Sequence, residues 1–263
     1  ISLREHIGDD SINSYKKKTI ETGIQLSKGE LIVTTDADCI THPEWLSTIA
    51  AFYEKHQPEM IVMPVSIQPN QSFIQLFQSV DFMSLQGITG SAVERNLHGM
   101  CNGANLAYTK KAFIDVDGFK GIEDIASGDD MLLMQKITAK NKNAVKYLKS
   151  EKVIVETLPV NTIGEFFQQR IRWASKADKY QDKTLFPVLL WVYLVNFLLL
   201  LLFVLIMINY NTNYYLKLFL IIFACKTIVE IYFLIPVASF FKKQNTLWVF
   251  PFLQPMHILY TLI

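Results

Sequence analysis

Charge is scarce in this chain. Only 19% of its 263 residues are Asp, Glu, Lys or Arg, against roughly 25% in an ordinary soluble domain. The 25 basic and 24 acidic residues nearly cancel, so there is no electrostatic footprint for nucleic acid, and no nucleic-acid partner is expected. Cysteine is scarcer still. Cys39, Cys101 and Cys225 are too few and too scattered for a disulfide framework or a zinc site, which suits a reducing compartment. No signal-peptide pattern is read at the start of the sequence as given. The chain starts at Ile1 and stops inside an apolar segment, so it reads as an internal stretch of a longer protein. With 51% hydrophobic residues, the composition excludes disorder, collagen and coiled coil.

The few charges are unevenly placed. Residues 186–263 carry five: Lys217, Lys226, Glu230, Lys242 and Lys243. That leaves 21 basic and 23 acidic residues for 1–185, a near-neutral stretch long enough for one globular domain. The expected division is a soluble domain over 1–183 and a membrane region over 184–263. No charge occurs from Thr184 to Leu216. Residues 185–208 are almost wholly apolar, broken by Pro187 and Asn196. As a helix they reach roughly 36 Å, enough for a hydrocarbon core of ~30 Å. A second span is expected over about 216–241. It contains Lys226 and Glu230, one helical turn apart, which can pair on one face and lock helices together or border a substrate path. Residues 247–263, with Pro251 and Pro255, suit an interfacial helix leading into a third span.

The soluble part alternates strand-like and helix-like runs. Residues 30–35 form a short β-branched strand ending in Asp36-Ala-Asp38. Thr41 and Glu44 suggest a capping box opening a helix to about Glu54. Strands are expected at 60–67, 105–109 and 153–157, and helices at 72–86, 110–116, 130–139 and 163–180, the last running to the membrane. The charged stretch 140–152 reads as solvated surface. This alternation indicates an α/β sheet covered by helices on both faces.

Three polar clusters stand out. Asp36-Ala-Asp38 follows a buried strand, and ligands in open α/β sheets bind beyond strand carboxyl ends. Two carboxylates there suit either a turn or a hard cation shared with phosphate oxygens. Gly128-Asp129-Asp130 opens a helix, where carboxylates either satisfy free N–H groups or include a general base. In Gln168-Gln-Arg-Ile-Arg-Trp173, helical spacing puts Gln169, Arg172 and Trp173 on one face. Arg offers a fork for pyrophosphate and Trp a flat apolar face for a sugar ring, whereas an Arg–Trp pair alone suits a membrane-edge anchor.

In this order, followed by membrane helices, the clusters resemble the family 2 glycosyltransferases, most closely the cellulose, hyaluronan and poly-N-acetylglucosamine synthase group. Asn102-Gly-Ala-Asn105 and Val116-Asp-Gly-Phe119 match stretches common there. The resemblance implies a GT-A type, Rossmann-like mixed sheet followed by C-terminal transmembrane helices. It implies a metal-dependent, inverting hexosyltransferase with a nucleotide-sugar donor and Mg²⁺ or Mn²⁺ at Asp36 and Asp38, with Asp38 the direct ligand. Asp130 corresponds to the general base and Asp129 to its support. Gln169 and Arg172 close over the diphosphate. Trp173, Asn102 and Gly103 border the acceptor, and Lys16, followed by Lys17 and Lys18, fits a lysine near the donor. The family's first strand and nucleobase-binding aspartate would lie before Ile1. The implied acceptor is a glycan in polysaccharide synthesis, with single transfer to a membrane lipid or lipid-linked glycan as the alternative. A non-enzymatic membrane scaffold would not need all three clusters.

Orientation follows from basic residues. Lys176, Lys179 and Lys183 precede the first span, Lys242 and Lys243 follow the second, and the intervening 209–213 loop is uncharged. Both lysine groups and the soluble domain are therefore expected in the cytoplasm, at a bacterial inner membrane. A cysteine introduced at Asn211 should react with an impermeant thiol reagent added outside intact cells, and one at Gln244 should stay unlabelled. Reversed labelling would refute this topology.

Overall fold

The computed structural model describes residues 14–68, 72–97, 100–123, 125, 128–175, 186–208 and 213–262. The chain divides into two compact units, one formed by residues 1–68 and 88–181, the other by 69–87 and 182–263.

The first unit holds a four-stranded sheet. Its strands are β1 (Leu31–Thr34), β2 (Met60–Val62), β4 (Leu106–Thr109) and β5 (Val145–Tyr147), in the order β1-β4-β2-β5. β4 runs antiparallel to both β1 and β2, while β5 is parallel to β2. Strand alternation sorts side chains to two faces. Met60, Val62, Leu106, Tyr108, Val145 and Tyr147 join one buried cluster, with Leu133, Met134 and Ile137 from the helix α5 (Asp129–Lys140). Ile61 and Ala107 point the other way, to Trp45 and Ile49 of α2 (Trp45–His56). The mixed α/β class expected from the sequence is therefore present, with a small sheet.

Several elements differ from the sequence expectation, each for a local reason. The 60–67 run is two strands. Pro64 has no N–H to continue a ladder, and the chain passes to β3 (Val65–Ile67), which pairs with β6 (Val155–Thr157) in a separate two-stranded sheet. The 140–152 stretch is not simply surface, because β5 lies within it. Only Val145 and Tyr147 turn inward around exposed Lys146, too short a signal to stand out among lysines. No capping box opens α2. The helix begins at Trp45, which makes Glu44 the N-cap itself, with no side-chain cap bond. Glu44 pairs instead with Lys152 at 2.7 Å. A capping box does occur at α6 (Ile163–Ala174), where Thr162 and Glu165 satisfy each other's main-chain N–H. α6 ends at Ala174, and the expected continuation over 176–180 lies outside the described residues. The remaining helices of this unit are α1 (Tyr15–Leu26) and α4 (Lys110–Asp115). α3 (Phe73–Glu94) begins in the second unit and contributes Val93 to the core of the first.

In the second unit, α7 (Phe186–Ile208) and α8 (Asn213–Phe240) are long and apolar enough to cross a membrane. α9 (Phe250–Thr261) has 12 residues, about 18 Å of helix, within the expected 247–263 segment. Lys226 of α8 pairs with Glu230 at 2.7 Å, and its Nζ donates to Gln254 Oε1 of α9 at 2.6 Å. Gln254 in turn donates to Glu230. The part of α3 belonging to this unit is held by polar bonds, with Tyr260 donating to Asp81 at 2.9 Å and Lys243 to Ser79 at 3.0 Å.

One buried side chain fixes the segment leading into β4. Asn105 is fully buried. It donates to the carbonyls of Pro64 and Val153, each at 2.7 Å, and accepts from the Trp45 indole at 3.0 Å. Asn105→Leu strands all three partners, each unsatisfied group costing about 1–3 kcal/mol. The variant should lose roughly 3 kcal/mol or more, read as a lowered unfolding midpoint of the detergent-solubilised chain. Asn105→Asp should be destabilised too, since a carboxylate faces two carbonyl oxygens.

Candidate active site

The site is built at one end of the four-stranded sheet. Thr34, the last residue of β1, lies opposite Leu106, the first of β4. The Thr34 hydroxyl donates to the carbonyls of Gly103 at 3.0 Å and Leu106 at 3.3 Å. This ties the loop carrying Asp36 and Asp38 to the turn Gly103–Asn105. Beyond that loop, Ile40 exchanges main-chain hydrogen bonds with Glu156 of β6, at 2.8 and 2.9 Å.

The second acidic cluster arrives on α5. Gly128, at φ +81°, sits at its N-cap. An L-residue pays about 1–2 kcal/mol in that conformation, so glycine suits the sharp entry that delivers Asp129 and Asp130 to the first turn. The Asp130 carboxylate is held by the N–H of Gly103 at 2.7 Å and that of Met131 at 2.8 Å. Gly103 leaves space beside it, since a Cβ there would stand 3.5 Å from Asp130 Oδ2 and 3.7 Å from Asp129 Oδ2.

α1 supplies the cation. Lys16 Nζ lies 3.2 Å from Asp36 Oδ1 and 3.6 Å from Asp129 Oδ2. Burial opposes its charged form, but Asp129, Asp36 and Asp130 outweigh burial and raise the lysine above its ordinary pKa. The three neighbouring lysines have separate tasks. Lys17 is buried and donates to the carbonyls of Ile122 and Ile125, while Lys18 pairs with Glu21.

Together these groups line a cavity of about 470 Å³ that includes Lys16, Asp36, Gly103, Asp129 and Asp130. Tyr108 forms part of its wall; burial first, then Asp129, raises its phenol well above the ordinary range. Cys101 is next to the same carboxylates. Burial, then Asp130 and Asp129, push its thiol up, which keeps it neutral. Cys39 behaves likewise through burial, Asp38 and Asp36. Among the described residues, no three His, Cys, Asp or Glu side chains converge to hold a metal.

Not every expected residue lines this cavity. Asp38 is exposed and lies outside it, in contact with the Cys39 thiol at 3.8 Å. Asn102 caps the Gly103–Asn105 turn, accepting from Ala104 N–H at 3.0 Å. Gln169, Arg172 and Trp173 are on α6 and are not part of the lining. Arg172 is exposed and Trp173 half-buried. Arg170, between Gln169 and Arg172, has a role that the sequence pattern does not single out. It is buried, with its guanidinium 4.4 Å from the Trp173 ring centre and 4.9 Å from that of Phe166. The signal in the sequence is its spacing to two aromatic rings, Phe166 at i−4 and Trp173 at i+3.

Comparison with known families gives the class to which the chain belongs. The family model of glycosyl transferase family 21 matches residues 6–261. The chain belongs to that family. A comparison with curated proteins returned no match. As a glycosyl transferase family 21 member the chain is a glycosyltransferase, with a sugar donor and an acceptor to accommodate. The assignment agrees with the glycosyltransferase resemblance at this broader level and does not extend to the synthase group of family 2.

The two arginines of α6 should separate experimentally. Arg170→Lys loses the planar guanidinium that covers Trp173 and Phe166, worth about 0.5–2 kcal/mol at such sites. It should lower both the unfolding midpoint and sugar transfer. Arg172→Lys, at an exposed position, should leave the midpoint unchanged and lower transfer only. Wild-type turnover in Arg172→Lys would remove it from donor binding.

Proposed function

We propose that the chain transfers a hexosyl unit, with inversion, from a nucleotide-sugar donor to an acceptor held at a membrane. The catalytic unit is of GT-A type and faces the cytoplasm, at a bacterial inner membrane. The observation that carries the reading is the meeting of Asp36, Asp129, Asp130 and Lys16 around one cavity at a sheet end. Groups of this kind handle a diphosphate leaving group and an attacking hydroxyl.

Asp36 and Asp38 offer hard oxygen donors, too few for an all-protein cage. That suits Mg²⁺ or Mn²⁺, ions commonly held by one or two carboxylates together with substrate phosphates. When bound, the cation supplies charge stabilisation for the departing diphosphate. Asp130, already oriented by two main-chain N–H groups, accepts the proton of the acceptor hydroxyl, which attacks the anomeric carbon from the face opposite the leaving group. Asp129 supports Lys16. Arg172 and Gln169 contact the diphosphate, and Trp173, Asn102 and Gly103 border the acceptor.

For the acceptor, a membrane lipid or lipid-linked glycan is favoured. α6 exposes Ile163 and Ile171, at 58% and 61%, on one stripe of a helix that precedes the first long apolar helix. Such a stripe suits an interfacial position, where a lipid-borne acceptor resides. Polymer synthesis is the second reading and rests on the Gln169, Arg172 and Trp173 pattern.

The test is product analysis with the full chain in liposomes and a labelled donor. The expected product is solvent-extractable and carries a single sugar. A labelled polymer retained at the top of a gel would favour the second reading, and absence of transfer to either acceptor class would overturn the proposal. Asp130→Asn should cut the rate on the order of 10²–10⁴-fold with nucleotide affinity nearly unchanged.

A further inference from the structure

Lys16 holds an unusual position. Its ammonium stands between the two acidic clusters, at 3.2 Å from Asp36 and 3.6 Å from Asp129. Asp130 adds to the same field. An exposed ion pair of this kind ordinarily contributes little, but the Asp129 side chain is only 10% exposed, and Lys16, Asp36 and Asp129 all line one cavity. The position is also built in. Successive side chains on a helix point about 100° apart. Lys17, buried and bonded to the carbonyls of Ile122 and Ile125, fixes the rotation of α1 against the loop that leads to α5. With Lys17 so fixed, Lys16 is directed at the carboxylates.

We infer that Lys16 is an internal counter-cation that occupies the electrostatic place of the divalent ion until a diphosphate arrives. This rests on the proposed function and adds how the site is loaded. While Lys16 neutralises Asp36 and Asp129, a metal ion alone meets a carboxylate already paired and a fixed positive charge within a few ångströms. A diphosphate changes both conditions. Its oxygens offer the ammonium a new partner, which frees Asp36, and they complete the metal's oxygen shell. Metal and diphosphate therefore bind with positive coupling, and by linkage each strengthens the other by the same factor. The arrangement keeps the acidic cavity from filling with cation when no donor is present.

The experiment measures Mn²⁺ affinity of the full-length chain in detergent by electron paramagnetic resonance, with and without inorganic pyrophosphate. The wild type should bind Mn²⁺ weakly alone and more tightly with pyrophosphate. Lys16→Gln should tighten Mn²⁺ alone at least tenfold and shrink the pyrophosphate enhancement. Lys16→Arg, which keeps the charge, should behave like the wild type; a variant that merely disturbed the fold would not be rescued in this way. Unchanged or weaker Mn²⁺ binding in Lys16→Gln overturns the inference, as does a Lys16→Arg variant that matches Lys16→Gln. Sugar transfer by the wild type distinguishes the two levels. If the wild type transfers sugar and binds Mn²⁺ with pyrophosphate but Lys16→Gln shows no tightening, only the counter-cation role falls. If the wild type neither transfers sugar nor binds Mn²⁺ with pyrophosphate, the proposed function falls and this inference with it.

Discussion

The antiparallel register between β1 and β4 is the constraint on which the cavity depends. Thr34 faces Leu106, so the chain leaving β1 and the turn entering β4 share one end of the sheet. The Thr34 hydroxyl bridges them, and Gly103 passes the connection on to Asp130. A slip of one residue would exchange the two faces of the strand, sending Ala107 towards the Tyr108 cluster and separating the acidic loop from its partner turn. Asn105 guards against this by engaging Trp45, Pro64 and Val153 at once.

The cavity is a place where like charges are brought together and then managed. Three of its carboxylates have identified neighbours: a lysine for Asp36 and Asp129, and main-chain N–H groups for Asp130. The N-terminus of α5 adds favourable potential for both aspartates in its first turn. The charge is thus tolerated by a lysine on one side and by main-chain N–H groups on the other.

Much of this was legible in the sequence. Asp36 was visible because it follows a β-branched run, and Asp129 with Asp130 because they open an amphipathic segment. The helices α7 and α8 were plain from length and apolarity alone. What stayed hidden depends on contacts distant in sequence. Lys16, Lys17 and Lys18 look alike in a row, and only the fold assigns one to carboxylates, one to buried carbonyls and one to Glu21. β5 was obscured because two inward residues in three give almost no period. Arg170 is hidden because its burial between two rings depends on packing that its charge does not suggest. Thr41 and Glu44 have capping-box spacing, but α2 begins only at Trp45, whereas Thr162 and Glu165 stand at the true start of α6.

The pairing of Lys226 with Glu230 is contained within a single helix. A charge entering lipid alone costs roughly 3 kcal/mol, and a helix that depended on a later neighbour to neutralise it would have to wait for that neighbour during synthesis. α8 carries its own neutralisation, so its charged pair does not depend on α9. Gln254 of α9 completes the group. A four-residue spacing thus gives an apolar helix a charged pair that is neutral in itself.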